Sequence, residues 1–477
     1  MPSLPARTTP LVSRLLIAAV LPLLAACAST GAPLAGPAVA IPAAWDPAPG
    51  IADATGDLQR WWQQLGDPML SALIERAIAR NPDLASSRAS VREARARLRA
   101  AGAGRLPTVD AGASAGIAKA GTSDSDTRLS IGLDASWELD LFAGQRLTVD
   151  AAAADLARTD ALLDNAHASL AAEVALDYVD LRSAQARLAI ARTNLESQGE
   201  TLQFTQWRVD AGLASAVDLE QARSNLAQTA ATIPALEASG AAAVHALAAL
   251  TADDAAQLAQ RLAGPAELPA APPSIAAGIP AEALQRRPDV RAATQALLAE
   301  TARTGVARAA RYPTLTLSAS VGSEAMTLGA IGGAASLSRS LVAALGASLF
   351  DGDRLDAQYE AQQAVRAQAL STLEATLLAA LRETEDALVA FDRGGKREAA
   401  LGRAADAARA AALLARQRYR GGLIDFQTVL DTERTLRTVE DSLAVARADR
   451  LASLIQLYKA LGGGWTRPQA DAPRSPA

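Results

Sequence analysis

The sequence predicts an internally duplicated protomer of mixed class, in which four membrane β-strands are continued by very long α-helices. Three observations carry that prediction. Leu129, Ile131, Leu133, Ala135, Trp137, Leu139 and Leu141 alternate with Ser130, Gly132, Asp134, Ser136, Glu138 and Asp140. The alternation is close to the roughly 9–11 residues that a tilted membrane strand requires, and it sets an apolar face against one carrying carboxylates. Beyond Gly144 the period becomes helical and no proline occurs before Pro234. A helix from Arg146 to about Arg208 would reach roughly 90 Å, a length suited to a tube rather than a globular core. Finally, the whole pattern returns about 206–210 residues further on.

Composition narrows the class. Half of the 477 residues are apolar but only 3% are aromatic, so alanine and leucine supply most of the apolar surface, as in closely packed coiled helices. The formal charge is −5. Removing residues 1–26, with Arg7, Arg14 and no acid, leaves 44 basic against 51 acidic residues, a balance of −7. That excludes the basic footprint of a nucleic-acid binder. His167, His245 and Cys27 are the only histidines and cysteine. Each histidine stands alone in a helical stretch, which suits packing or solvation. No phosphate loop, zinc-type cysteine pair or nucleophile elbow is present, so no catalytic residue, metal or cofactor is expected.

In chain order, residues 1–26 read as a signal peptide whose apolar run, Leu15–Leu24, is too short to span a bilayer. It ends in Leu24-Ala25-Ala26-Cys27, which resembles a bacterial lipobox with Cys27 as the lipidated first residue. The plainer alternative is cleavage near Ala26 that leaves a spare thiol. Ala28 stands where an aspartate would resemble the inner-membrane retention signal, so the outer membrane is the implied address. Residues 27–60, rich in Ala, Pro and Gly, form a tether.

The first repeat covers 61–263. Trp61-Trp62 and Gly66-Asp67-Pro68 open a helical layer, and Asn81-Pro82-Asp83 breaks and caps it. Strands are expected at about 108–118 and 128–142, joined by a small polar loop. After the long helix, the stretch 208–217 reads as a hairpin tip, and the return helix is expected to kink at Pro234. A linker, 264–281, contains five prolines between Gly264 and Pro280.

The second repeat, 282–465, places strands at about 314–323 and 338–350 and a tip at about 418–428; residues 466–477 form a tail. Pro82 answers to Pro288 and Pro107 to Pro313, each 206 apart, while Arg208–Leu213 answers to Arg418–Leu423, 210 apart. Four strands cannot close a barrel, since the smallest closed ones have eight. An open edge in lipid costs several kcal/mol for each unsatisfied backbone group, roughly. The chain must therefore assemble at least as a dimer.

The lipobox, the Trp-Trp opening, Trp137-Glu138-Leu139-Asp140-Leu141-Phe142, the two Gly-Leu turns and the ending Leu457–Trp465 resemble the TolC-like outer membrane efflux protein family. Within it, the chain is most similar to the lipoprotein branch around OprM and NodT. The resemblance implies a homotrimer with a 12-stranded barrel continued by a 12-helix periplasmic tunnel. It implies an outer membrane address, lipid-anchored and membrane-spanning, with most of the chain in the periplasm. The implied role is the passive exit duct of a tripartite efflux system, with outer membrane lipid around it. A periplasmic adaptor (membrane fusion) protein and an inner-membrane transporter of the RND type would be its partners.

The resemblance also carries site residues. Gly212, Leu213 and Ser215, with Gly422 and Leu423, match adaptor-contacting tips, although the glycines could serve only the turns. Asp431 matches an acidic gate ring and Arg434 a charged position one turn on. Three carboxylates on a threefold axis would attract cations. Thr428 stands where TolC-like members carry another acid, and Gln427 where OprM-like members carry a leucine. Alternatively, Asp431 and Arg434 form an ordinary i,i+3 surface pair. Rival functions are a type I protein secretion channel and a periplasmic adaptor or structural lipoprotein; a cell-envelope hydrolase has least support.

Overall fold

The computed structural model describes residues 37–45, 58–119, 121, 126–264, 267–271 and 280–465. The signal peptide, Cys27, the tail 466–477 and most of the 264–281 linker lie outside the described residues. The elements below belong to one unit, Val39–Ala477.

Each repeat builds the same series. The first has α1 (Pro68–Arg80), α2 (Pro82–Ala103), β1 (Thr108–Ala118), β2 (Asp126–Leu139), α3 (Gly144–Asp210) and α4 (Ala216–Thr251), followed by a short α5 (Ala255–Leu262). The second has α6 (Pro280–Arg286), α7 (Pro288–Ala309), β3 (Thr314–Ala325), β4 (Leu337–Gly346), α8 (Arg354–Arg420) and α9 (Phe426–Ala460). Helices α3 and α8 both have 67 residues, about 100 Å each. Pro234 lies inside α4 without ending it.

The four strands form one antiparallel sheet in the order β1-β2-β3-β4. The repeats meet at the β2–β3 seam, where Trp137 faces Leu317 and Leu133 faces Val321. Because register preserves the pleat, most apolar residues of the four strands share one face, with Val342 and Ala344 of β4 on the other, opposite Ser318 and Thr316. On the other face Ser114 bonds Ser130 at 2.8 Å and Ser320 bonds Ser340 at 2.7 Å. The outer edges of β1 and β4 are unpaired within one copy.

Two strands stop earlier than the alternation implies. β2 ends at Leu139 rather than 142, because the Asp140 carboxylate turns to accept the Gln145 and Arg146 N–H groups at the start of α3. β4 ends at Gly346 rather than 350, and Asp351 accepts from Leu355 N in the same way. The alternation continues through Leu141 and Leu349, but an acidic helix cap at the corner outweighs one more ladder bond. Both corners pass through a residue with positive φ, Ala143 at 65° and Asp353 at 63°.

The main core gathers where the repeats converge, and it buries Trp61, Trp62, Leu73, Tyr178, Leu247 and Leu454 together. Trp61 stacks on Tyr458 with ring centroids 5.3 Å apart. The Tyr178 hydroxyl donates to Asp67 at 2.7 Å. The glycine-rich ending fits here because a Cβ on Gly463 would lie 2.7 Å from the Leu58 carbonyl oxygen. Asp253, whose side chain is 8% exposed, receives Arg76, Arg80 and Arg261 and ties α1 and α5 to the end of α4.

Candidate functional site

The far ends of the two hairpins carry the candidate site. Both turns are built alike. Leu213 N donates to Arg208 O at 2.7 Å and Gly212 N to Val209 O at 2.9 Å; Leu423 N donates to Arg418 O and Gly422 N to Tyr419 O at 2.9 and 3.0 Å. This double closure needs a left-handed residue after the helix, which Gly212 (φ 72°) and Gly422 (φ 70°) supply. The leucine that follows each glycine is thrust outward, with Leu213 68% and Leu423 76% exposed.

Ser215 has a structural duty as well. Its hydroxyl accepts from Asp218 N while Asp218 accepts from Ser215 N, a reciprocal cap on α4. Asp425 caps α9 by accepting from the Thr428 N–H and hydroxyl, and those bonds hold its carboxyl below the usual carboxylate range. Arg208 joins the tips: its guanidinium donates to Tyr419 O at 2.8 Å and lies 4.6 Å from the centre of the Tyr419 ring. Trp207 and Val217 are both exposed beside the first tip, and Trp207 lies just outside the stretch read as the tip from sequence. A tryptophan one turn before a Gly-Leu tip was the available signal.

Gln427, Asp431 and Arg434 follow one face of α9. Gln427 Nε2 donates to Asp431 Oδ1 at 3.0 Å. Among the described residues no ion pair joins Asp431 to Arg434, so the ordinary surface pair does not form. Asp431 is exposed, while Val429, Leu430 and Glu433 on the same helix are buried.

Glu433 was missed. It lies in phase with the buried stripe of Phe426, Val429, Leu430 and Leu436, and that phase was readable. Only 6% exposed, it lies 2.8 Å from the Thr201 hydroxyl on α3. Burial pushes its carboxyl up, opposed by the Thr201 bond and by Arg416. That hydroxyl also lies 3.1 Å from Ser197 O, so its proton is shared between the helix carbonyl and Glu433.

A duplicated chain with a two-faced, open-edged sheet on helices of about 100 Å, ending in paired apolar tips, defines the protomer of an outer membrane channel. The profile of the outer membrane efflux protein family matches residues 73–253 and 279–463, one match for each repeat, and the chain belongs to that family. It is 33% identical to Nodulation protein T of Rhizobium leguminosarum bv. viciae, over 96% of this chain and 95% of that one. It is 34% identical to the pyoverdine export outer membrane protein OpmQ of Pseudomonas aeruginosa, over 93% and 95% of the two chains. The solved outer-membrane channel OprN superposes with a TM-score of 0.83 at 35% identity, covering 90% of this chain and 99% of that one. MtrE of Neisseria gonorrhoeae, solved in an open state, gives 0.81 at 26% identity, covering 92% and 99%. The protein is thus an outer membrane efflux channel component, of a family of ducts rather than enzymes.

Proposed function

We propose that three copies close into a 12-stranded barrel above a 12-helix tunnel, and that this duct passes small molecules without catalysis of its own. The observation that carries the reading is the four-stranded sheet with two unpaired edges, which lipid does not tolerate. Lipidation at Cys27 would add a second membrane attachment, and two attachments hold far better than one acyl chain. The exposed Leu213 and Leu423 present a surface to a periplasmic adaptor, itself joined to an inner-membrane transporter of the RND type. Asp431 at the tips forms a ring of three carboxylates that favours cations, with Gln427 and Arg434 on the same helix face. Small-molecule cargo is supported by relatives named for pyoverdine export and for solvent and toluene efflux. Deleting the gene and measuring susceptibility to several unrelated antibiotics and dyes tests the reading. Increased sensitivity, restored by the intact gene, supports it; unchanged sensitivity with loss of one secreted protein would move the cargo to polypeptides.

A further inference from the structure

Helices α3, α4 and α9 enclose a groove of about 590 Å³ whose polar lining is unevenly satisfied. Small side chains open the space, with Ala191 on α3 and Ala231 and Ala235 on α4. Ile190 and Leu236 supply apolar wall. The charged groups lining the groove are Arg187, Arg437 and Asp441, two positive against one negative.

Arg437 is the uncompensated charge. Glu433, Glu440 and Asp441 stand at its i−4, i+3 and i+4 positions, where a carboxylate ordinarily pairs with an arginine on the same helix. Each of the three is committed elsewhere. Glu433 is buried beside the Thr201 hydroxyl. Glu440 accepts from Arg409 at 2.7 Å and from Asn194 at 3.5 Å. Asp441 turns both oxygens to Arg187 on α3, at 2.6 and 3.2 Å, and leaves Arg187 Nη1 unused. Among the described residues the Arg437 side chain has no ion pair and no hydrogen bond.

Two hydroxyls in the groove are idle as well. Thr232, Ser239 and Thr438 donate to carbonyls of their own helices. Ser442 has no side-chain partner among the described residues, and Thr229 Oγ1 is buried without one. A buried hydroxyl left unpaired is destabilising, and a bound acceptor would relieve it. The unused groups are thus donors: a planar guanidinium fork, a second guanidinium nitrogen and two hydroxyls beside apolar wall. That set fits a carboxylate carried on a hydrocarbon stem.

The groove opens on the helix face that bears the proposed gate. Thr438 and Ser442 follow Asp431 by seven and eleven residues, in phase with it and roughly 10–16 Å further along α9. Its charge is opposite in sign to a ring of Asp431 carboxylates, so a carboxylate that has passed the ring meets a favourable wall.

We propose that this groove is a binding site for organic carboxylates, with Arg437 gripping the carboxylate and Thr229, Ser442 and Arg187 Nη1 completing its hydrogen bonds. Its place in the wall of a duct rests on the ring of three copies proposed above; its chemistry does not. The test is saturation-transfer NMR of the detergent-solubilised full chain with butyrate, and with butyramide as the neutral counterpart. Conductance of the same preparation is recorded in planar bilayers. Butyrate should bind and butyramide should not. Arg437→Gln should weaken butyrate binding about tenfold or more, and Thr229→Val, which keeps the shape and removes the hydroxyl, about threefold. Arg403→Gln, at an exposed arginine of α8 outside the groove, removes the same charge and should leave binding unchanged. Added butyrate should lower the parent conductance, and Arg437→Gln should abolish that effect while its melting temperature stays that of the parent. No butyrate binding, equal binding of butyramide, or equal losses in Arg437→Gln and Arg403→Gln overturn the site. Arg437-dependent binding by a chain that conducts nothing overturns the duct instead and leaves the site standing.

Discussion

Asn81 and Arg287 perform the same closure in the two repeats with different chemistry. Asn81 Nδ2 donates to Leu250 O near the end of α4, and Arg287 Nη1 donates to Ala460 O at the end of α9, both at 3.1 Å. Each stands just before the proline that starts a 22-residue helix. Asn81 also caps that helix, accepting from Asp83 and Leu84 N–H groups. A guanidinium cannot accept, so Asp289 caps α7 instead, accepting from Val290 N and binding Arg287.

The two closures should differ when cut. Asn81→Ala removes a cap and one bond, about 1–2 kcal/mol. Arg287→Ala strands the partly buried Asp289 as well as Ala460 O, and should cost about 3 kcal/mol. Arg287→Lys should not restore it, because a point charge cannot hold Asp289, Glu383 and Ala460 O together. Thermal unfolding in detergent reads both; equal losses would contradict the difference.

A second prediction concerns pH. Burial, helped by Glu173 and Asp180, pushes the Asp177 carboxyl up to about 6. With the folded value above the unfolded one, its stabilising contribution is complete below the ordinary carboxylate range and is lost as pH rises through about 6. Melting temperature should therefore rise on acidification from pH 7 to pH 5, and Asp177→Asn should flatten that rise. Glu433 shifts in the same direction, so Glu433→Gln should flatten it further. A variant titrating like the parent would refute the assignment.

The strand-to-helix corners give a third. Ala143 and Asp353 hold equivalent positions at positive φ, a conformation costing roughly 1–2 kcal/mol for a residue with a Cβ. Ala143→Gly should stabilise by about 0.5–1 kcal/mol once the looser unfolded chain is counted, and Ala143→Val should destabilise. The melting temperatures of the two variants should move in opposite directions.

The tips give a fourth. Leu213→Asp with Leu423→Asp should abolish chemical crosslinking to the cognate adaptor without lowering the yield of folded protein, since both side chains are mostly exposed. Intact crosslinking would remove these leucines from the contact surface.

Much of the fold was legible because its signals are periodic. Alternation from Leu129 marked a membrane strand, and two prolines 206 residues apart marked the repeat. The missed features depend on which atom faces what. Asp140 continues the strand pattern in letters but turns its carboxylate to cap a helix. Glu433 looks like surface charge in an alanine-rich coil until its helical phase is followed. Arg287 hides its equivalence to Asn81 because amide and guanidinium share only the ability to donate. The residues of the proposed gate stand on one helix face, and a ring of them could form only between copies.

The most direct test of the account is the mass of the detergent-solubilised mature chain by native mass spectrometry. The unpaired edges exclude a stable single copy, and the proposed ring predicts three copies in one particle, each heavier than its polypeptide if the proposed lipidation at Cys27 holds. A stable, folded single copy would contradict the closed duct.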